Sequence, residues 1–331
     1  MDERLESVIA AQDGVLRTGQ AEALGLGTKH LARLVAADAL IRVRRDAYVL
    51  ADPWRAATPE ARLALTTRAV LLDRPDCYAS HQAALSLHGV PLHGVSLGVV
   101  DALAPVSRVR TASGLRRHPI LPALASHLGR FADLSAAAGC GCVSLACALA
   151  QMLVRGPAVA AIVAVDFALH ARLVDEAGIR AALALLSLPP RLAVRAQTWL
   201  TGTDARSESV GETRTRLRLV DGGHQVESQV EIYDDDGLFV ARVDHLVAGR
   251  AVIEFDGAVK YAAAEGREAL VAEKRREDRI RALGYGVGRV VWPDLGTADR
   301  VARIAACALE AAAPLDRIRG STRRGSPRSL R

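Results

Sequence analysis

The chain has 331 residues, 50% hydrophobic and 24% charged, which excludes a generically disordered polypeptide and exceeds the length of one average domain. Lys and Arg total 43 against 37 Asp and Glu, and the formal charge of +6 permits nucleic acid as a partner without requiring it. The lysines are Lys29, Lys260 and Lys274 alone, so the basic surplus is arginine and, beside abundant Ala and Gly, reads as genomic composition bias.

Residues 3–12 have the spacing of a short helix with Leu5, Val8 and Ile9 inward, and a second helical pattern runs from Thr18 to Leu24, stopped by Gly25-Leu26-Gly27. A third helix follows Thr28, with Leu31, Leu34 and Val35 on one face and Lys29, His30 and Arg33 around the exposed side. Within Leu40 to Leu50, Ile41 and Val43 on one side and Tyr48 and Leu50 on the other flank a basic turn and predict a two-stranded wing. Three helices and a wing make a winged helix-turn-helix over 1–55, in which the third helix enters the major groove and Arg42, Arg44 and Arg45 meet phosphates. The competing reading is a winged scaffold for protein contacts, with the arginines on a solvated hairpin face.

Asp52-Pro53-Trp54 predicts a linker, and a helix is expected over 60–72. Residues 56–203 then form an α+β middle region: a short helix within 77–89, strand-like pieces at 97–103 and 116–121, two helices within 144–173 joined near Gly156-Pro157, and a further helical segment over 178–186. Its apolar runs are interrupted by Ser144, Gln151 and Asp166, which argues against a membrane span. The Met-Asp-Glu-Arg start lacks the pattern of a secretory signal, so a cytoplasmic location is expected. Cys77, His81, His88 and His93 match no ligand spacing and read as packing or capping groups, and Cys140, Cys142 and Cys147 as buried thiols.

The Gln12-Asp-Gly-Val segment, the Gln20-Ala helix, the Arg42-to-Leu50 wing and the later Ser80-His-Gln-Ala-Ala-Leu-Ser-Leu-His-Gly stretch resemble AbiEi-type antitoxins of type IV toxin-antitoxin systems. That resemblance implies DNA binding and transcriptional autoregulation, and names neither an operator nor a toxin for this chain.

The densest chemical pattern lies beyond residue 204. Residues 206–219 read as a capped amphipathic helix carrying Glu208 and Glu212, followed by strand-like 226–233, 238–246 and 251–256 with Asp234-Asp-Asp-Gly as a turn. Alternation sends Glu254 and Asp256 to one face and Ile253 and Phe255 to the other, and an antiparallel return brings Asp244 beside them. Carboxylates gathered among apolar residues call for a compensating cation, and Mg2+ or Mn2+ on Asp244, Glu254, Asp256 and Glu212 fits oxygen donors. The chemistry expected is metal-assisted phosphodiester hydrolysis. An acidic, solvated hairpin edge is the competing reading.

The Glu212 helix, Arg242-Val-Asp244, Val252-Ile-Glu254-Phe-Asp256-Gly-Ala-Val-Lys260-Tyr, Glu273-to-Arg279 and Gly284-to-Leu295 together resemble the very short patch repair endonucleases within the PD-(D/E)XK nuclease superfamily, over residues 204–297. The resemblance implies a restriction-endonuclease-like mixed sheet flanked by helices over 204–312, with the first acidic position on Asp244 and the acidic pair on Glu254 and Asp256. The superfamily pattern ends its acidic strand in Lys, whereas Asp256 stands here; Lys260 or Lys274 is a substitute, or neither is catalytic. Arg275, Arg276 and Arg279 are further candidate phosphate contacts, and Trp292 reads as core. Residues 313–331 read as a disordered basic tail.

The expectation is thus a multidomain α/β protein that binds DNA and hydrolyses it with a divalent metal as an endonuclease or nickase. Its alternative is a noncatalytic DNA-binding regulator or antitoxin-like protein. A toxin or a repair factor is the protein partner each implies.

Overall fold

The computed structural model describes residues 2–130, 140–257 and 265–325. They form a mixed α/β, multidomain chain that divides into two compact units, 1–165 with 173–202, and 166–172 with 203–331. Among the described residues no helix is long and apolar enough to cross a membrane.

The first unit opens with α1 (Glu3–Ala10), β1 (Val15–Arg17), α2 (Thr18–Ala23), α3 (Thr28–Ala36), β2 (Leu40–Arg44) and β3 (Ala47–Leu50). Asp2 caps α1 by accepting from Arg4 N and Leu5 N, and the helices close over Leu5, Ile9, Leu16, Leu31, Leu40 and Tyr48. The hairpin is the expected one, and β1 joins it to give the order β1-β3-β2. A three-residue strand is too short to show alternation, which is why the sequence hides β1. The expected linker is instead a helix, α4 (Ala51–Ala56): Pro53 lies in its first turn, where a backbone N–H has no intrahelical acceptor to lose.

Next come α5 (Pro59–Leu71), capped by Thr58, then β4 (Tyr78–Ala79), α6 (His81–Leu87), β5 (Val100–Ala104), β6 (Arg110–Ala112), β7 (Leu115–Pro119), β8 (Leu128–Arg130) and β9 (Gly141–Val143). The strands make one sheet in the order β6-β7-β5-β4-β9-β8, with β5 and β7 parallel. The helices α7 (Leu145–Arg155), α8 (Ala158–His170), α9 (Glu176–Leu185) and α10 (Pro190–Thr201) follow. Ser144 caps α7 and Asp175 caps α9, each through its side-chain oxygen. The helix α10 has no counterpart among the sequence expectations, and Val194 places an apolar residue on the outer face of its otherwise amphipathic pattern.

The second unit comprises residues 166–172, from the end of α8, and α11 (Val210–Asp221), β10 (Val226–Tyr233), β11 (Phe239–Val247), β12 (Ala251–Asp256), α12 (Glu265–Ala282), β13 (Gly286–Val291), α13 (Ala298–Ala311) and β14 (Ser321–Arg324). The sheet order is β13-β12-β11-β10-β14, antiparallel except for the parallel β12–β13 pair. One layer packs Val230, Ile232, Leu246 and Val252 with Ile280 of α12 and Leu283 just beyond it, and the other packs Ala251, Ile253 and Val290 with Leu219 of α11 and Val301 and Ala305 of α13. Part of the expected basic tail is ordered: Ser321–Arg324 pairs with Val230–Tyr233 as the edge strand β14. Its polar residues gave no strand signal, and backbone hydrogen bonds plus Arg323 over the Tyr233 ring hold it.

Within this unit Asp166, buried, accepts from Arg216 Nη2 at 2.8 Å, Thr213 Oγ1 at 2.8 Å and the backbone N of Asp204 at 2.7 Å. Burial raises its carboxyl to about 6 even though Arg216 pulls the other way. Asp166→Ala strands the buried Arg216 charge and is expected to cost about 3–5 kcal/mol in chemical denaturation, with Asp166→Asn costing less.

Candidate nucleic-acid face and carboxylate site

On α3, Lys29 and Arg33 are exposed and His30 is half-buried with its Nε2 enclosed. Leu31 faces the core between them, so one helical period sets the basic face outward. Arg42 and Arg45 are exposed on the hairpin, whose turn is held by Asp46 at φ +61. Arg44 departs from its expected role as a phosphate contact: its guanidinium donates to the carbonyls of Val43 and Gly98 within the same unit. The exposed basic set is therefore Lys29, Arg33, Arg42 and Arg45.

In the second unit the carboxylates converge. Ser209 caps α11 by accepting from Glu212 N at 3.1 Å, and the Glu212 side chain turns back to accept from Glu208 N at 2.9 Å. Glu208 itself lies before the helix and pairs with Arg242. A Cβ at Gly211 would meet the Phe255 ring at 1.9 Å, so glycine lets α11 approach β12 and sets Glu212 over the sheet. Gln229, at φ +53 within β10, gives Nε2 to Glu212 Oε2 at 2.9 Å and to Asp244 Oδ1 at 3.2 Å. The other Asp244 oxygen accepts from Phe255 N at 2.9 Å. One neutral amide thus bridges two carboxyl groups. Gln229 was missed in the sequence because it interrupts an otherwise regular strand and carries no charge.

Burial, and then the neighbouring Glu212, push the Asp244 carboxyl up to about 7, and burial also raises Glu212. Glu254 adds its charge to the same effect on Asp244, but its own oxygens are held by Arg276, at 2.8 and 2.7 Å. Arg276 also pairs with Glu273, so this residue, expected at phosphate, is committed to carboxylates. Asp256 is half-buried, with Glu254 on the face opposite Ile253 and Phe255, as alternation requires. Lys260 lies outside the described residues; Lys274 and Arg275 are exposed on α12, and Arg279 donates to Phe239 O at 3.1 Å.

Trp292, expected in the core, is 44% exposed. It stands edge-on to Phe255 at 5.0 Å between ring centroids, and donates from Nε1 to Gly257 O. A hard divalent cation suits the oxygens of Glu212 and Asp244, whereas both Glu254 oxygens already accept from Arg276.

A family model described as "Transcriptional regulator, AbiEi antitoxin" matches residues 3–51, which run from α1 to the first residue of α4. No curated protein matches the chain. Among solved structures, the RV2827C protein from Mycobacterium tuberculosis is similar at 18% identity with a TM-score of 0.38, over 65% of this chain and 80% of that one.

The raised Asp244 carboxyl has a signed consequence. Its folded form binds a proton more tightly than its unfolded form, so the stability it contributes is complete below the ordinary value of 3.8 and is lost as pH climbs through about 7. Without divalent cations, Asp244→Asn is expected to exceed the wild type in stability at pH 8 by about 1–3 kcal/mol, with the gain vanishing near pH 4 in parallel thermal melts.

Proposed function

We propose that the protein is a DNA-binding transcriptional regulator of the antitoxin type, acting in the cytoplasm, whose amino-terminal winged helix engages DNA. The observation that carries this reading is the exposed basic face of Lys29 and Arg33 on α3 beside Arg42 and Arg45 on the hairpin, within the stretch matched by the AbiEi model. The exposed Lys29 and Arg33 of this short helix suit contact in the major groove, while the hairpin arginines suit the flanking phosphates. A toxin is the protein partner that this reading implies.

A second reading, a metal-dependent endonuclease or nickase, is favoured by the shared burial of Glu212 and Asp244 around one amide, while the Arg276 guanidinium engages Glu254. Asp244 and Glu212 would hold Mg2+ or Mn2+, with Glu254 and Asp256 at its margin. Such an ion supplies charge stabilisation at a phosphoryl oxygen and acidifies the attacking water. The chain's own contribution is positional: Phe255 N and Gln229 orient the Asp244 oxygens, and Arg276 neutralises Glu254. DNA is the substrate of this reading and a repair factor its corresponding partner.

One set of experiments separates the two. In gel shifts on duplex DNA, the triple variant Lys29→Ala, Arg33→Ala, Arg42→Ala is expected to bind about tenfold or more weakly, with a salt slope reduced by about 0.9 for each phosphate contact removed. Unchanged affinity and slope would assign the module to protein contacts. The same DNA is scored for cleavage with Mn2+, Mg2+ or EDTA. Metal-dependent cleavage that disappears in Asp244→Asn while binding persists supports hydrolysis, and no cleavage by the wild type under any condition removes it.

A further inference from the structure

A different cluster of donors lies in the first unit. His81 leads α6 with φ +50, a left-handed conformation uncommon for a residue with a side chain, and its backbone N–H donates to the buried Gln151 Oε1 at 2.9 Å. The ring stacks on that of His118 from β7, with centroids 4.4 Å apart and planes 29° apart. His118 Nε2 lies 2.7 Å from Oδ1 of Asp101 on β5. All three side chains are buried, and the second Asp101 oxygen, Oδ2, has no hydrogen-bond partner. One ligand atom from each of His81, Asp101 and His118 falls within 4.8 Å of the others, the group of this kind found among the described residues.

Two cavities of about 440 Å³ each share both imidazoles in their walls. One is largely apolar, with Leu103, Leu121, Val154 and Leu192; the other is lined by Gln82, Ser96 and Arg116. The cluster therefore meets space from which a ligand can reach it.

We propose that His81, Asp101 and His118 bind a borderline transition-metal cation of the zinc class, with a coordination position left open to the cavities. Two imidazole nitrogens and one carboxylate oxygen are a donor set that suits zinc and is poor for magnesium, which favours oxygen throughout. A buried carboxylate oxygen without a donor is costly, and a cation relieves that cost. The strained backbone at His81 is the second cost that ligation offsets, because it is what brings the ring over His118. A cation bound at this point takes the place of the hydrogen bond between His118 Nε2 and Asp101 Oδ1. Arg116, with Nη1 at 3.5 Å from Asp101 Oδ1, and Arg155, which lines both cavities, place positive charge beside the open position. They favour water or a small anion there. The buried thiols of Cys140 and Cys147 are pushed up to about 11 and about 12, and Cys142 is raised further, so they stay protonated and compete poorly.

The test uses the full chain, stripped with chelator and titrated with Zn2+ and then Co2+. The wild type is expected to take up one equivalent at micromolar or tighter affinity, with a Co2+ ligand-field spectrum free of thiolate charge-transfer absorption. His118→Gln and Asp101→Asn are each expected to weaken binding by at least tenfold, while Glu212→Gln combined with Asp244→Asn leaves it unchanged. No uptake by the wild type, uptake retained in both first-unit variants, or loss in the carboxylate double variant would overturn the proposal. X-ray absorption of the zinc-loaded wild type decides if the variants fail to fold: imidazole scattering sustains the site, and a shell of sulfur or of oxygen alone overturns it.

Discussion

The buried carboxylate of Asp166 is the interaction on which the geometry of the second unit depends. Two of its three donors, Thr213 and Arg216, sit on α11, and the third is the backbone just ahead of that helix. Fixing α11 by its middle also fixes its first turn, where Ser209 and Glu212 form the cap. Glu212 then reaches Gln229, and Gln229 reaches Asp244. A helix anchored by a desolvated ion pair thus sets the carboxyl cluster, and the close passage at Gly211 leaves little room for α11 to shift over Phe255.

Much of this architecture was legible because it rests on periodicity. The helices α1 to α3, the hairpin, α7 and the strands β10 to β12 carry apolar residues at the spacing that their geometry dictates, while α8 reads as a continuous apolar run. The pairing of Glu254 with Asp256 on one strand face follows from the same rule. What escaped was decided by partners distant in sequence. Arg276 reads as one charge among many on α12, yet its fork meets both Glu254 oxygens across 22 residues. Asp101 and His118 are separated by 17 residues and meet because β5 and β7 run parallel. Spacing rules for metal ligands address local motifs, so neither residue stood out beside His81.

The two acidic or imidazole clusters manage buried charge in different ways. At Glu212 and Asp244 the chain uses an amide, a backbone N–H and raised proton affinity, all of which weaken the repulsion without removing it. At Asp101 it uses an imidazole on one oxygen and leaves the other bare. In neither place does an engaged guanidinium fully satisfy the carboxyl, in contrast to Asp166 and Glu254.

The strand β14 bears on a separate matter, the behaviour of the sheet margin. Without Ser321–Arg324, the backbone of Val230–Tyr233 would present unpaired N–H and C=O groups beside apolar side chains, a template on which other chains can add. With it, the outermost strand is short and polar and carries Arg323 and Arg324, whose charges repel a second copy laid alongside. Ser321–Arg324 therefore shield that margin, and their removal would leave the Val230–Tyr233 backbone open to pairing with a second chain.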